Sequence, residues 1–297
     1  MFRLIFLSAR QPRLVCEHDV AISYFCTSVF SGKLLCMDEI VAAAQIIATA
    51  RRNRSRLNSL PAELAPRDEA EGYRVQRAVH DLLLPYAGAM VGYKIGCTSA
   101  VMQQYLNIPH PCGGGVFARG VHDSGASLQA RDYVRVGVEC EIAVRLGHDL
   151  PPAQAPFTAE AVARAIEAYL PAIEIVDERY ANWQTLGAAT LVADDFFAAG
   201  CVLGKPVARS AAPDLLSVVG RAIVNGAEAG RGTGADVLGH PHNPLLWLAN
   251  HLAREGRGLR AGQIVLTGSL VKTIWLDAGA TVTMDLSGLG AVEVRFS

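Results

Sequence analysis

The chain has 297 residues, of which 51% are apolar and 19% charged, and its formal net charge is −1. That composition supports a sizeable packed core and excludes a disordered, solvating polymer. No basic stripe interleaved with aromatics is present, which argues against nucleic acid as a partner, and no apolar run reaches the ~18 residues of a membrane span.

Near the N-terminus a short apolar stretch is interrupted by Arg10 and Arg13 before it reaches the length of a secretory leader. The expected location is the cytoplasm. Seven cysteines, at positions 16, 26, 36, 97, 112, 140 and 201, form no paired framework and suit reduced thiols. Three of them crowd into residues 1–36, where periodicity is poor. This segment is expected to be an extension outside the fold, the alternative being a short extra strand or arm.

Residues 37–90 read as a helical region. Ile40, Val41, Ala44, Ile47 and Ala48 recur at helical spacing before the polar run RRNRSR. A second helix is expected to begin near Asp68, with Glu71 at capping-box spacing and Val75, Val79, Leu82 and Leu83 on one face. From residue 91 to 297 the character changes to short strands and glycine turns: GYKIGC, the stretch Tyr133 to Leu146, AIEIV, GCVLG, IVLTGS, TVTMDL and AVEVRF. RAIVNGAEA reads as a hairpin about Asn225 and Gly226. Helices are expected over 158–170 and from Asn243 and Pro244 onward. Without regular strand-helix alternation, the fold class is α+β, with a mixed, rolled β-sheet core and an N-terminal helical region.

The stretch YVRVGVECEIAVRL carries the strongest chemical signal. Val134, Val136, Val138, Cys140, Ile142, Val144 and Leu146 alternate with Tyr133, Arg135, Gly137, Glu139, Glu141, Ala143 and Arg145. As a strand it places Glu139 and Glu141 on one face, about 6.6 Å apart at the backbone, so their carboxylates can converge. Like charges that close repel unless a cation lies between them. Downstream, Glu174 interrupts the apolar run of PAIEIV, where an ionised carboxylate is costly unless paired or bound to a metal. Three carboxylates without CxxC or HxxxH patterns favour a hard ion, Mg²⁺ or Mn²⁺, over zinc. The competing reading is a solvated strand face, with Arg135 and Arg145 as ion-pair partners of the two glutamates.

Other candidates are weaker. Lys94 lies between apolar neighbours and either transfers protons or extends its ammonium to the surface or to a carboxylate, the second being the default. Gly113, Gly114 and Gly115 lack a phosphate-loop ending and read as a loop. Gly230, Gly232 and Gly234 follow a hairpin and give no dinucleotide fingerprint, which removes a nicotinamide-linked oxidoreductase from consideration. His240 and His242 read as structural loop histidines, and Cys97, Cys112 and Cys140 as buried small hydrophobes.

Taken in order, GYKIGCTS, VECEIAVRLG, PAIEIVDERYANW, VADDFFAAGCVLG, GRGTGADVLGHPHNPLLWLANHL and LRAGQIVLTGSL resemble the 2-keto-4-pentenoate hydratase and 4-oxalocrotonate decarboxylase family of the fumarylacetoacetate hydrolase superfamily, over roughly residues 38–297. The resemblance implies a hydratase that adds water to a 2-hydroxy-dienoate or 2-oxo acid, as in the breakdown of aromatic compounds. It implies that Glu139, Glu141 and Glu174 hold Mg²⁺ or Mn²⁺ and that Lys94 lines the catalytic pocket, with Glu141 and Lys94 as catalytic residues. It further implies that Thr267, Gly268 and Ser269 lie near the substrate, that Asp177 and Asp194 support the site, and that the protein is a homo-oligomer. Two segments depart from the family pattern. Pro111-Cys112-Gly113-Gly114 stands where Pro-Asp-aromatic-Gly is usual. Val192-Ala193-Asp194-Asp195 replaces IADN, and Phe196 and Phe197 follow where small residues are usual. The alternatives are decarboxylation of a 2-oxo-3-enedioate, C–C hydrolysis of an acylpyruvate, for which no His-Glu dyad is evident, and a homologue without activity.

Overall fold

Two packed helices open the described chain. In the computed structural model, which describes residues 34–297, α1 (Met37–Asn53) and α2 (Glu69–Ala87) meet along most of the expected apolar stripes, but Val41 is exposed. Ile40, Ala44 and Ile47 cluster with Val75, Val79 and Leu83. Asp68 caps α2 by accepting from Glu71 N at 2.8 Å. The Glu71 carboxylate does not return the bond as a capping box requires. It pairs with the Arg67 guanidinium, which holds its pKa down at about 2, and accepts from Arg67 N at 3.0 Å and Leu35 N at 2.9 Å. Of the extension expected over residues 1–36, residues 1–33 lie outside the described residues.

A nine-stranded mixed sheet forms the centre. Its order is β2 (Cys112–Phe117), β1 (Met90–Gly96), β11 (Ile264–Ser269), β5 (Val136–Leu146), β6 (Ile166–Asp177), β7 (Ala198–Leu203) and β3 (Val121–Asp123). β12 (Ile274–Trp275) pairs with β5, and β8 (Val207–Ala208) with β6. β2 and β7 also approach each other, so the sheet rolls. Val116 of β2 and Cys201 of β7 accordingly share an inner cluster with Ala143, Leu170, Ala172 and Leu266.

A second mixed sheet, ordered β10 (Ala227–Thr233), β9 (Val219–Val224), β13 (Thr281–Leu286), β14 (Gly290–Phe296) and β4 (Ala126–Leu128), covers the other face of the first. Between them Val138, Cys140, Ile142 and Val144 of β5 pack with Val282, Met284 and Val292. The β9–β10 hairpin turns at Asn225 (φ 50°) and Gly226 (φ 83°), the positive-φ pair that a two-residue turn demands. α3 (Ala100–Leu106), α4 (Ala159–Ala165), α5 (Ala188–Ala193) and α6 (His242–Arg254) complete an α+β fold. Among the described residues no helix is long and apolar enough to cross a membrane.

Three local expectations are corrected. The helix over 158–170 ends at Ala165, and Ile166 begins β6. Eleven residues of β6 pair with β5, and Pro171, a helix breaker, sits opposite Ile142. Gly113, Gly114 and Gly115 are no loop but lie in the fully buried β2, where a Cβ on Gly114 would come within 2.9 Å of Asp195 O. α6 starts at His242 with Pro241 in the cap position, two residues ahead of the expected Asn243 cap, and Asn243 Nδ2 instead donates to Leu238 O at 2.8 Å.

Candidate active site

β5 and β6 run antiparallel with Glu139 directly opposite Glu174, and Glu141 follows two positions along the same face. One oxygen from each of the three carboxylates lies within 4.8 Å of the others. Glu141 and Glu174 are buried, while Glu139 is partly exposed. The arginines that would make this a solvated strand face are engaged elsewhere. Arg135 binds Glu178 at 2.8 Å and Arg145 binds Glu167 at 2.9 Å.

Donors from neighbouring segments of the chain set the orientation of two of the carboxylates. Gly268 N donates to Glu141 Oε2 at 2.8 Å, and Thr273 Oγ1 donates to Glu139 Oε1. Glu141 Oε1 and both oxygens of Glu174 are buried without a hydrogen-bond partner. Buried polar atoms are normally satisfied; Glu174 Oε1 has the Lys94 ammonium 3.0 Å away, and the two acceptors left over, Glu141 Oε1 and Glu174 Oε2, fit a further positive group. Hard oxygen donors in this number suit a divalent cation that accepts carboxylates.

Lys94, from β1, approaches the same point and is only 3% exposed. It does not extend to solvent. Its Nζ lies 3.0 Å from Glu174 Oε1, not aligned for a hydrogen bond, and donates to Phe196 O at 3.3 Å. Burial acts to lower the Lys94 pKa, but the charges of Glu174 and Glu139 outweigh it and hold the ammonium above the ordinary lysine range. Burial, reinforced by the neighbouring carboxylates, pushes Glu141 well above the usual range, and burial raises Glu174 as well.

Thr267, Gly268 and Ser269 form the end of β11 beside Glu141. The Thr267 hydroxyl is committed to Ile142 O at 2.7 Å and the Ser269 hydroxyl donates to Cys140 O at 3.4 Å, so this segment meets Glu141 through the Gly268 N–H. Gly268 has φ 118°, and a Cβ there would meet Thr98 Oγ1 at 2.2 Å.

Asp177 and Asp194 are not among the three converging acids. Asp177 accepts from Arg135 N at 2.9 Å at the end of β6. Asp194 grips the buried Arg179 guanidinium at 2.8 and 3.1 Å, and the same guanidinium donates to Phe197 O and Ala198 O. This clamp holds the turn through Asp195, Phe196 and Phe197, three consecutive residues at positive φ (52°, 51° and 69°) that contribute the carbonyl bonded by Lys94.

A second polar group, unforeseen from the sequence, lies behind this turn. Asp195 is fully buried, 2.6 Å from His80 Nε2 and 2.8 Å from Arg51 Nη1, and accepts from Gly115 N at 2.9 Å. Burial opposes ionisation, but the His80 and Arg51 contacts overcome it and hold the Asp195 carboxyl far below the usual range. Three of the four buried thiols are held in the protonated, unreactive form. Burial pushes Cys140 and Cys201 up to about 12, and contact with Cys97, together with burial, raises Cys112. His242 bonds the Tyr169 hydroxyl at 2.8 Å, and His240 accepts from His242 N at 3.0 Å.

Residues 110–297 match the family described as fumarylacetoacetate (FAA) hydrolase C-terminal. The chain is 34% identical over 256 residues to 2-keto-4-pentenoate hydratase 2 of Dechloromonas aromatica (strain RCB), covering 86% of this chain and 97% of that one. It is 35% identical over 211 residues to 2-hydroxyhexa-2,4-dienoate hydratase of Comamonas testosteroni, covering 70% of this chain and 78% of that one. Among solved structures, 4-oxalocrotonate decarboxylase from Pseudomonas putida G7, complexed with magnesium and adipate, superposes with a TM-score of 0.84 at 25% identity, over 90% of this chain and all of the other. Sequence and architecture agree: the chain belongs to the fumarylacetoacetate hydrolase C-terminal family.

Proposed function

We propose that this protein is a hydro-lyase dependent on a divalent metal, Mg²⁺ or Mn²⁺, that adds water to a 2-hydroxy-dienoic acid to give a 4-hydroxy-2-oxo acid. The observation that carries the reading is the convergence of three carboxylates with orphaned oxygens beside a buried lysine. Relatives named as hydratases, matched along most of their length, support the choice of reaction.

In this reading Glu139, Glu141 and Glu174 hold the ion, which when bound supplies Lewis-acid stabilisation to the 1-carboxylate and 2-oxygen of an enolate. Gly268 N and Thr273 Oγ1 fix two of these carboxylates in advance, so little reorganisation is needed on binding. Lys94 holds a proton at Nζ against the substrate carbons. As the 2-hydroxyl loses its proton, one is delivered to C5; the oxygen of water then joins C4, and a proton goes to C3. The turn Thr267–Ser269 forms part of the substrate wall, and the Asp194–Arg179 clamp holds the Phe196 carbonyl against Lys94. The chemistry is assigned to residues 91–297, in a cytoplasmic homo-oligomer.

Decarboxylation of a 2-oxo-3-enedioate is the second reading, favoured by the similarity to 4-oxalocrotonate decarboxylase. Loss of the dienol absorbance on adding 2-hydroxypenta-2,4-dienoate, with carbon dioxide measured in parallel on an enedioate substrate, tests both. Hydrated product without carbon dioxide supports the proposal; carbon dioxide release with no hydration overturns it.

A further inference from the structure

A cavity of about 80 Å³ reaches the candidate site from inside the roll. Its deep lining is Lys94, Glu174 and Leu266, all buried; its outer lining includes Arg51, Ala87 and Ala199, which are partly exposed. Neither Glu139 nor Glu141 lines it, and neither does the Thr267–Ser269 turn. The cavity therefore opens onto the Lys94–Glu174 pair and not onto Glu139 or Glu141.

Its chemistry is that of a wet cavity. A buried water needs roughly 10–15 Å³ and two to four polar partners, so this space accepts a few waters. The Lys94 ammonium pairs with Glu174 Oε1 at 3.0 Å and donates to Phe196 O at 3.3 Å, which leaves it a further donor, and the Arg51 guanidinium lies toward the outer end. An apolar void of this size would stay dry; one ending on a buried ammonium–carboxylate pair would not.

We infer that this cavity is the water site of the enzyme, holding ordered water against Lys94 Nζ and Glu174 and delivering the molecule that adds to the substrate. The inference rests on the hydratase reading. A 2-oxo acid chelated at the three-carboxylate point blocks access from that side, so a separate supply spares the enzyme from displacing its own substrate at each turnover. The Asp195 network has a positioning role here. By tying Arg51 of α1 and His80 of α2 to Gly115 N of β2 it fixes these elements relative to one another beside the cavity.

The test is to plug the outer end with Ala87→Leu and, separately, Ala199→Val, in the full chain loaded with Mn²⁺. High-resolution crystal structures with oxalate bound should show ordered waters touching Lys94 Nζ and Glu174 in the wild type and fewer or none in the variants. Turnover to hydrated product should fall ~10-fold or more in the variants. Mn²⁺ affinity should be unchanged, and uptake of deuterium from D2O into the carbon positions of the dienoate, which needs no added water, should persist. A dry cavity in the wild type overturns the inference, as do variants that exclude the waters yet hydrate at the wild-type rate. Because water occupancy is read independently of turnover, a protein that shows the waters but hydrates no dienoate would sink the hydratase reading and leave the water site standing.

Discussion

On β5, Ile142 and Glu141 are adjacent and equally inaccessible to solvent, yet they face opposite environments. Ile142, with Val138, Cys140 and Val144, packs between the two sheets, where each large aliphatic side chain contributes about 1.5–3 kcal/mol by leaving water. Glu141, with Glu139, faces the inside of the roll beside Glu174 and Lys94 and leaves an acceptor unsatisfied. One face of the strand stabilises the fold, and the other carries a polar cost that Lys94, Gly268 N and Thr273 Oγ1 offset only in part. Burial alone does not mark the functional face; unmet hydrogen-bonding capacity does.

Substitutions on the two faces should separate cleanly. The largest effect is expected for Glu141→Ala, which should lower divalent-metal affinity and turnover by more than the ~10–100-fold typical of outer contacts. Calorimetric metal titration and the dienol assay would measure it, and an active, metal-loaded variant would discard the assignment. Ile142→Ala, one residue along, should cost about 2–5 kcal/mol in urea unfolding while the surviving folded protein keeps its metal affinity. Thr273→Val should remove the hydroxyl that orients Glu139 and weaken metal binding by ~10–100-fold, with little change in unfolding.

A smaller, pH-dependent difference should distinguish the Asp195 network. Its carboxyl is held below the usual range when folded, so its contribution to stability is fully present above the unfolded value of about 3.9 and is lost as pH falls toward the folded one. Urea unfolding of the metal-free protein between pH 6 and pH 3 should therefore show a shallower acid-side loss in Asp195→Asn than in the wild type. Parallel profiles would contradict the depressed carboxyl.

The pattern of β5 was legible because a strand has a period of two and one slip would expose every valine. Glu174 was legible as a lone charge among β-branched residues. Segment 158–170 misled because its alanines and glutamates fit a helix locally; the long pairing with β5 then claimed Ile166 onward. The triple glycine looked like a loop because nothing local reports how closely Asp195 and His80 approach it. Asp195, His80 and Arg51 could not be joined from the sequence, since they come from three distant segments and Arg51 lies in a run that reads as solvent-facing. A buried Asp194-Asp195 pair within an apolar stretch was the one available signal.

The proposed function requires the three carboxylates to share one ion. Anomalous diffraction from crystals loaded with Mn²⁺ should show a single site per chain bound by oxygens of Glu139, Glu141 and Glu174, and the peak should vanish in Glu174→Gln. A manganese peak elsewhere, or one that persists unchanged in that variant, would contradict it.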